Sequence, residues 1–128
     1  MVKKVEKVCI IDPVGGHGGM DYYDYGLAMG LSANQIFVDY YTCKKTKERN
    51  YEFVSTYQVF KNVWEKKGLA KLYVFLMGYL KAFFFSKRNK SKVLHFHFFG
   101  LGPLNILVLI MAYFNKKKKV VTLHDIES

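Results

Sequence analysis

Short apolar runs alternate with longer stretches of helical periodicity along the chain, and polar turns divide them. Val8, Cys9, Ile10 and Ile11 form a short apolar run rich in β-branched residues, the pattern of a strand covered on both faces. Asp12 and Pro13 end that run, and a glycine-crowded turn follows. Tyr23, Leu27, Met29 and Leu31 then recur as on one helix within residues 22–32, and residues 35–41 return to a β-prone apolar run. A polar loop with Lys44, Lys45, Lys47 and Arg49 precedes residues 51–60, whose alternation predicts a third strand. From Asn62 the period changes: Leu69, Leu72, Tyr73, Leu76, Leu80, Phe83 and Phe84 lie at helical spacing. Residues 92–99 predict a fourth strand and residues 104–115 an apolar helix, which Pro103 can open without losing a hydrogen bond. Lys116 to Lys119 are expected at that helix's C-terminal end, offsetting its dipole, and residues 120–123 form the last strand.

Strand and helix alternate throughout. That order predicts one α/β domain over residues 1–128, a Rossmann-like open parallel sheet with helices on both faces. Ligands of such sheets lie beyond the carboxyl ends of the strands, where strand order reverses. With the first strand central, between the second and the fourth, the groups after the first, fourth and fifth strands would share one crevice. The crossover through the first helix should be right-handed.

The chain has 128 residues, is 51% hydrophobic and carries a net charge of +10, with aromatics at 17%. Basic charge joined to aromatic side chains points to an acidic or interfacial partner. Nucleic acid fits the charge alone, since no recognition helix, zinc finger or RNA-binding signature is present. Cys9 and Cys43 have no metal spacing and suit a reducing compartment, and no secretory signal precedes the first strand. The long helix admits three readings: a sheet-covering helix, an interfacial helix with lysines toward anionic lipid, or a span. A span needs about 20 apolar residues, and Lys71 and Lys81 interrupt this one.

Gly15, Gly16, Gly18 and Gly19 give a backbone able to take positive φ and approach a ligand, with Asp21 and Asp24 positioned to cap the next helix. Phosphate would suit that helix N-terminus, although the spacing matches neither a dinucleotide fingerprint nor a Walker loop, and a simple flexible turn accounts for it equally. His95 and His97 are two apart and share one strand face. They read as hydrogen-bonded structural residues or, with His124, as zinc ligands lacking a fourth partner at recognisable spacing. His124 beside Asp125 at a strand end is better suited to moving a proton near neutral pH. No Ser or Cys nucleophile with a partner motif appears.

The Gly-Gly-His-Gly-Gly turn, the strand ending His95-Phe-His97, the apolar helix, the lysine run and Val120-Val-Thr-Leu-His-Asp125 together resemble the N-terminal half of GT-B fold glycosyltransferases. The resemblance is to family 4, the group-1 type that builds bacterial surface polysaccharides and glycolipids, and it covers essentially the whole chain. It implies transfer of a sugar from a nucleotide-sugar to a saccharide or lipid-linked acceptor, with no metal and no other cofactor. It assigns catalysis to His124 with Asp125, the donor-phosphate and acceptor loop to Gly15, Gly16, Gly18 and Gly19, and acceptor contacts to His17 and His97. It also implies a cytoplasmic protein, peripheral on the inner face of the plasma membrane through the segment between Trp64 and Lys92. The family's nucleotide-binding C-terminal domain has no counterpart here, so the resemblance implies a fragment, a truncated product or half of a split enzyme, inactive alone. A noncatalytic membrane-associated partner subunit and a small nucleotide-binding module are the alternative expectations.

Overall fold

A computed structural model describes residues 6–17, 19, 21–49, 51–98, 102–114 and 117–123. Five strands form one sheet: β1 (Lys7–Ile11), β2 (Phe37–Tyr41), β3 (Val54–Tyr57), β4 (Val93–Phe98) and β5 (Lys118–Leu123). Their order is β3-β2-β1-β4-β5 and every pairing is parallel. Ile10 lies between Tyr40 and His95, so β1 is central as its apolar run predicts. This is the Rossmann-like open α/β sheet.

Three helices cover it: α1 (Asp21–Ala33), α2 (Gly68–Arg88) and α3 (Pro103–Tyr113). On one face α1 places Tyr25 and Ala28 over Ile10, Val38 and Tyr40. On the other, Tyr79 and Ala82 of α2 and Val108 and Ala112 of α3 close over Cys9, Ile11, Leu94, Phe96 and Phe98. Alternate residues of each strand thus enter different cores, and every fully buried aliphatic side chain contributes about 1.5–3 kcal/mol. Cys9 and Cys43 are buried free thiols, and burial pushes the Cys9 thiol well above its ordinary value.

The third strand is shorter than its alternation predicts. Phe53 and Lys61 both take positive φ, so the backbone turns on either side of Val54–Tyr57 and the rest of residues 51–60 leaves the ladder. Gln35 also has positive φ and closes the turn from α1, which moves the start of β2 to Phe37. At the last strand the displacement is opposite: Lys118 and Lys119 stand within β5, paired with Val93 and Leu94, rather than at a helix end. Lysines on an edge strand discourage pairing with another sheet. At the start of α3, Gly102 N–H donates to Asn105 Oδ1 at 3.1 Å, satisfying one of the free ends beside Pro103.

Candidate functional site

Parallel pairing brings the carboxyl ends of β1 and β4 side by side, and strand order reverses between them. A crevice of about 270 Å³ opens there. Pro13 and Val14 after β1, Trp64 from the 3-10 turn Val63–Glu65, Phe75 and Tyr79 of α2, His97 and Phe98 of β4, and Asn105 of α3 line it. Trp64 is fixed on both sides of its chemistry. Its Nε1–H donates to the Pro13 carbonyl at 2.9 Å, and its ring stacks on His17 at 4.5 Å with the planes 3° apart. Lys71 Nζ sits over the indole at 4.8 Å. Partial desolvation, with Lys45 and Lys71 nearby, holds the His17 imidazole below its usual value, so the ring is neutral at pH 7 and its Nδ1 lies 3.3 Å from Lys45 Nζ.

The glycine turn forms a 3-10 turn, Gly15–His17. Gly15 has φ +41°, and a Cβ there would lie 2.1 Å from Thr46 Oγ1 and 2.3 Å from Thr42 Oγ1. Gly16 N–H donates to Thr46 Oγ1 at 2.8 Å, and a Cβ there would lie 2.4 Å from the Lys45 carbonyl oxygen. The close approach that these two glycines permit is therefore to the loop after β2, and it sets His17 against Trp64. Gly19 takes φ +73° with open space where a Cβ would stand. Gly18 lies outside the described residues.

Below the crevice a buried polar group joins β1, α1, β2 and β4. Asp24 Oδ2 accepts from Tyr40 O–H at 2.5 Å, and Asp24 Oδ1 lies 3.5 Å from His97 Nδ1. Asp12 Oδ1 accepts from Val14 N–H at 3.0 Å. Burial, then a hydrogen bond and charge from Asp12, push the Asp24 carboxyl up to about 10, against the opposing effect of Tyr40. At neutral pH Asp24 therefore keeps a proton, which offsets the cost of two buried carboxylates. The ligand atoms of Asp12, Asp24 and His97 lie within 4.8 Å of one another, the group among the described residues able to converge on a metal ion. A proton held between the carboxyls meets the same electrostatic need.

His95 and His97 do share a strand face, stacked at 4.8 Å, and His95 Nε2 meets Thr122 Oγ1 at 2.7 Å across the β4–β5 pair. Of the residues expected in the site, the crevice brings together His97 and, through Trp64, His17, Gly15 and Gly16. His124 and Asp125 lie outside the described residues; Leu123 before them pairs with Phe98, at the crevice end of the sheet. Trp64, Asp12 and Tyr40 were not expected there, and Asp24 was expected only as a cap. Trp64 carried a signal, as the single tryptophan beside lysines in a segment between a strand and a helix.

No protein-family model, curated protein or solved structure matches the chain.

Proposed function

We propose that this chain is the acceptor-side domain of a glycosyltransferase. It binds a saccharide or lipid-linked acceptor in the crevice and presents it to a nucleotide-sugar carried by a C-terminal domain or partner chain. One observation carries the reading: a crevice at the strand-order reversal, walled by Trp64, which His17 holds by stacking, and edged by the polar Asn105. Aromatic faces with a few polar groups suit a sugar ring, which is apolar on its faces and polar at its rim. In the transfer the acceptor hydroxyl oxygen bonds the anomeric carbon, the bond from that carbon to the diphosphate breaks, and the hydroxyl proton leaves with the nucleotide diphosphate. His124 and Asp125, which the family resemblance assigns to that step, follow the strand paired to β4.

The acceptor's lipid would lie against α2. That helix is long and apolar enough to cross a membrane by length and composition. Its inner side packs on the sheet through Tyr79 and Ala82, while Leu69 and Phe84 stand outward, 83% and 62% exposed. A peripheral contact uses that outer side without unpacking the inner one.

Trp64 is the only tryptophan, so its emission reports on the crevice directly. Titrating the full chain with a short-chain lipid-linked saccharide is expected to shift that emission, whereas free nucleotide at the same concentration leaves it unchanged. A shift with nucleotide alone would mean a nucleotide-binding module and overturn the acceptor assignment. Co-expression with a nucleotide-sugar-binding domain is expected to yield label transfer that His124→Ala abolishes.

A further inference from the structure

A cavity larger than the crevice lies at the other end of the sheet. It is a groove of about 840 Å³ between the C-terminal ends of α2 and α3, beside the starts of β4 and β5. Phe83 and Phe84 of α2 and Met111 and Phe114 at the end of α3 give it apolar walls. Lys87, Lys92 and Lys117 rim it, and among the described residues no carboxylate lines it. Ser91 belongs to the lining too: the residue is 2% exposed and its Oγ has no hydrogen-bond partner among the described residues. Lys117 Nζ donates to the Ser91 carbonyl, so one lysine is already tied over the serine. A buried hydroxyl without a partner is unfavourable, and an incoming acceptor oxygen would relieve it.

We propose that this groove holds the phosphate headgroup of an anionic phospholipid, with Lys87, Lys92 and Ser91 on the phosphate and Phe84 and Phe114 against the acyl chains. The outer faces of both helices continue the same surface. Leu80 on α2 and Ile106, Ile110 and Tyr113 on α3 are exposed, in line with a flat apolar contact. A second copy of the chain would bring like lysines face to face, and a nucleic acid would leave these aliphatic side chains without a role. Burial lowers the Lys117 ammonium's pKa and Lys87 adds to it, a penalty that a bound phosphate reverses. The inference extends the membrane contact above, and its failure leaves saccharide binding at the crevice untouched.

The test is co-sedimentation of the full chain with phosphatidylcholine vesicles, with and without added phosphatidylglycerol. Binding is expected only with phosphatidylglycerol, and to weaken as salt rises. Lys87→Gln with Lys92→Gln should reduce it about fivefold per lysine. This pair avoids Lys117, whose bond to Ser91 is structural. Lys44→Gln with Lys47→Gln removes equal charge from the loop after β2 and should leave binding nearly unchanged; equal loss from both pairs would mean diffuse attraction and overturn the site. Equal binding to pure phosphatidylcholine would overturn the headgroup assignment. So would saturable binding of inorganic phosphate at the affinity seen for vesicles, or displacement from vesicles by an oligonucleotide.

Discussion

Desolvation, Lys45 and Lys71 all act on His17 in one direction, and the physical consequence is measurable. Its folded pKa is lowered from an ordinary value of 6.5, so the fold disfavours the proton. Stability tied to this ring is present above 6.5 and is lost as pH falls through the folded value. A protonated imidazole stacked on an indole quenches it, so Trp64 emission is expected to fall on acidification with a midpoint below 6.5, and Lys45→Gln should raise that midpoint. A midpoint unmoved by the substitution would mean that Lys45 does not act on His17. Asp24 has the reverse sign. Its folded pKa is raised to about 10, so its stabilising contribution is complete below the unfolded value near 3.9 and is lost as pH rises toward 10. Melting temperature should therefore decline from pH 5 to 9, and Asp24→Asn should flatten the slope; equal slopes would mean that Asp24 ionises within the fold. None of this was legible in the sequence. Asp12, Asp24, Tyr40 and His97 come from four elements, and only the register of β1 with β2 and β4 makes them neighbours. The face shared by His95 and His97 was legible, because strand periodicity fixes it without tertiary contacts.

At the scale of elements, strongly periodic segments were legible and their ends were not. β1, β4 and the three helices follow from apolar runs long enough to decide their own period, whereas β3 is cut short by positive φ at Phe53 and Lys61, residues with no glycine-like signal. The lysines of β5 read as a helix terminus because charge is scored locally, yet the β4 ladder captures them. Contact between elements adds a constraint that periodicity does not carry. Gly78 of α2 faces Phe60 so closely that a Cβ would stand 2.3 Å from the ring. Phe60 is fully buried in the core under α2. Gly78→Ala gains helix propensity but overpacks this contact, so a net loss of about 1–3 kcal/mol is expected in urea unfolding. Adding Phe60→Leu should recover part of that loss, as coupled neighbours do. Stabilisation by Gly78→Ala alone would show that the ring can move aside freely.

For the whole molecule, the two candidate surfaces divide along the strand direction. Parallel strands give the sheet unlike ends. The carboxyl end carries the Trp64 crevice, and the amino end, where Lys92 and Lys117 precede β4 and β5, carries the groove. Between them the outer sides of α2 and α3 are apolar, so a molecule resting on these helices has the groove and the crevice at the two ends of one contact face. Under the proposed function, that layout separates anchoring from recognition. Trp64→Leu removes the aromatic platform together with the emission probe, so saccharide binding is read by calorimetry and is expected to be lost, while vesicle binding stays within a factor of about two, since surface changes away from an interface are near neutral. Lys87→Gln with Lys92→Gln should do the converse. The residues lie on different elements and share no partner, so the combined variant should show the sum of both defects within about 0.5 kcal/mol. A combined defect well beyond that sum would mean that lipid and saccharide occupy one continuous site, with the acceptor's lipid tail running from groove to crevice.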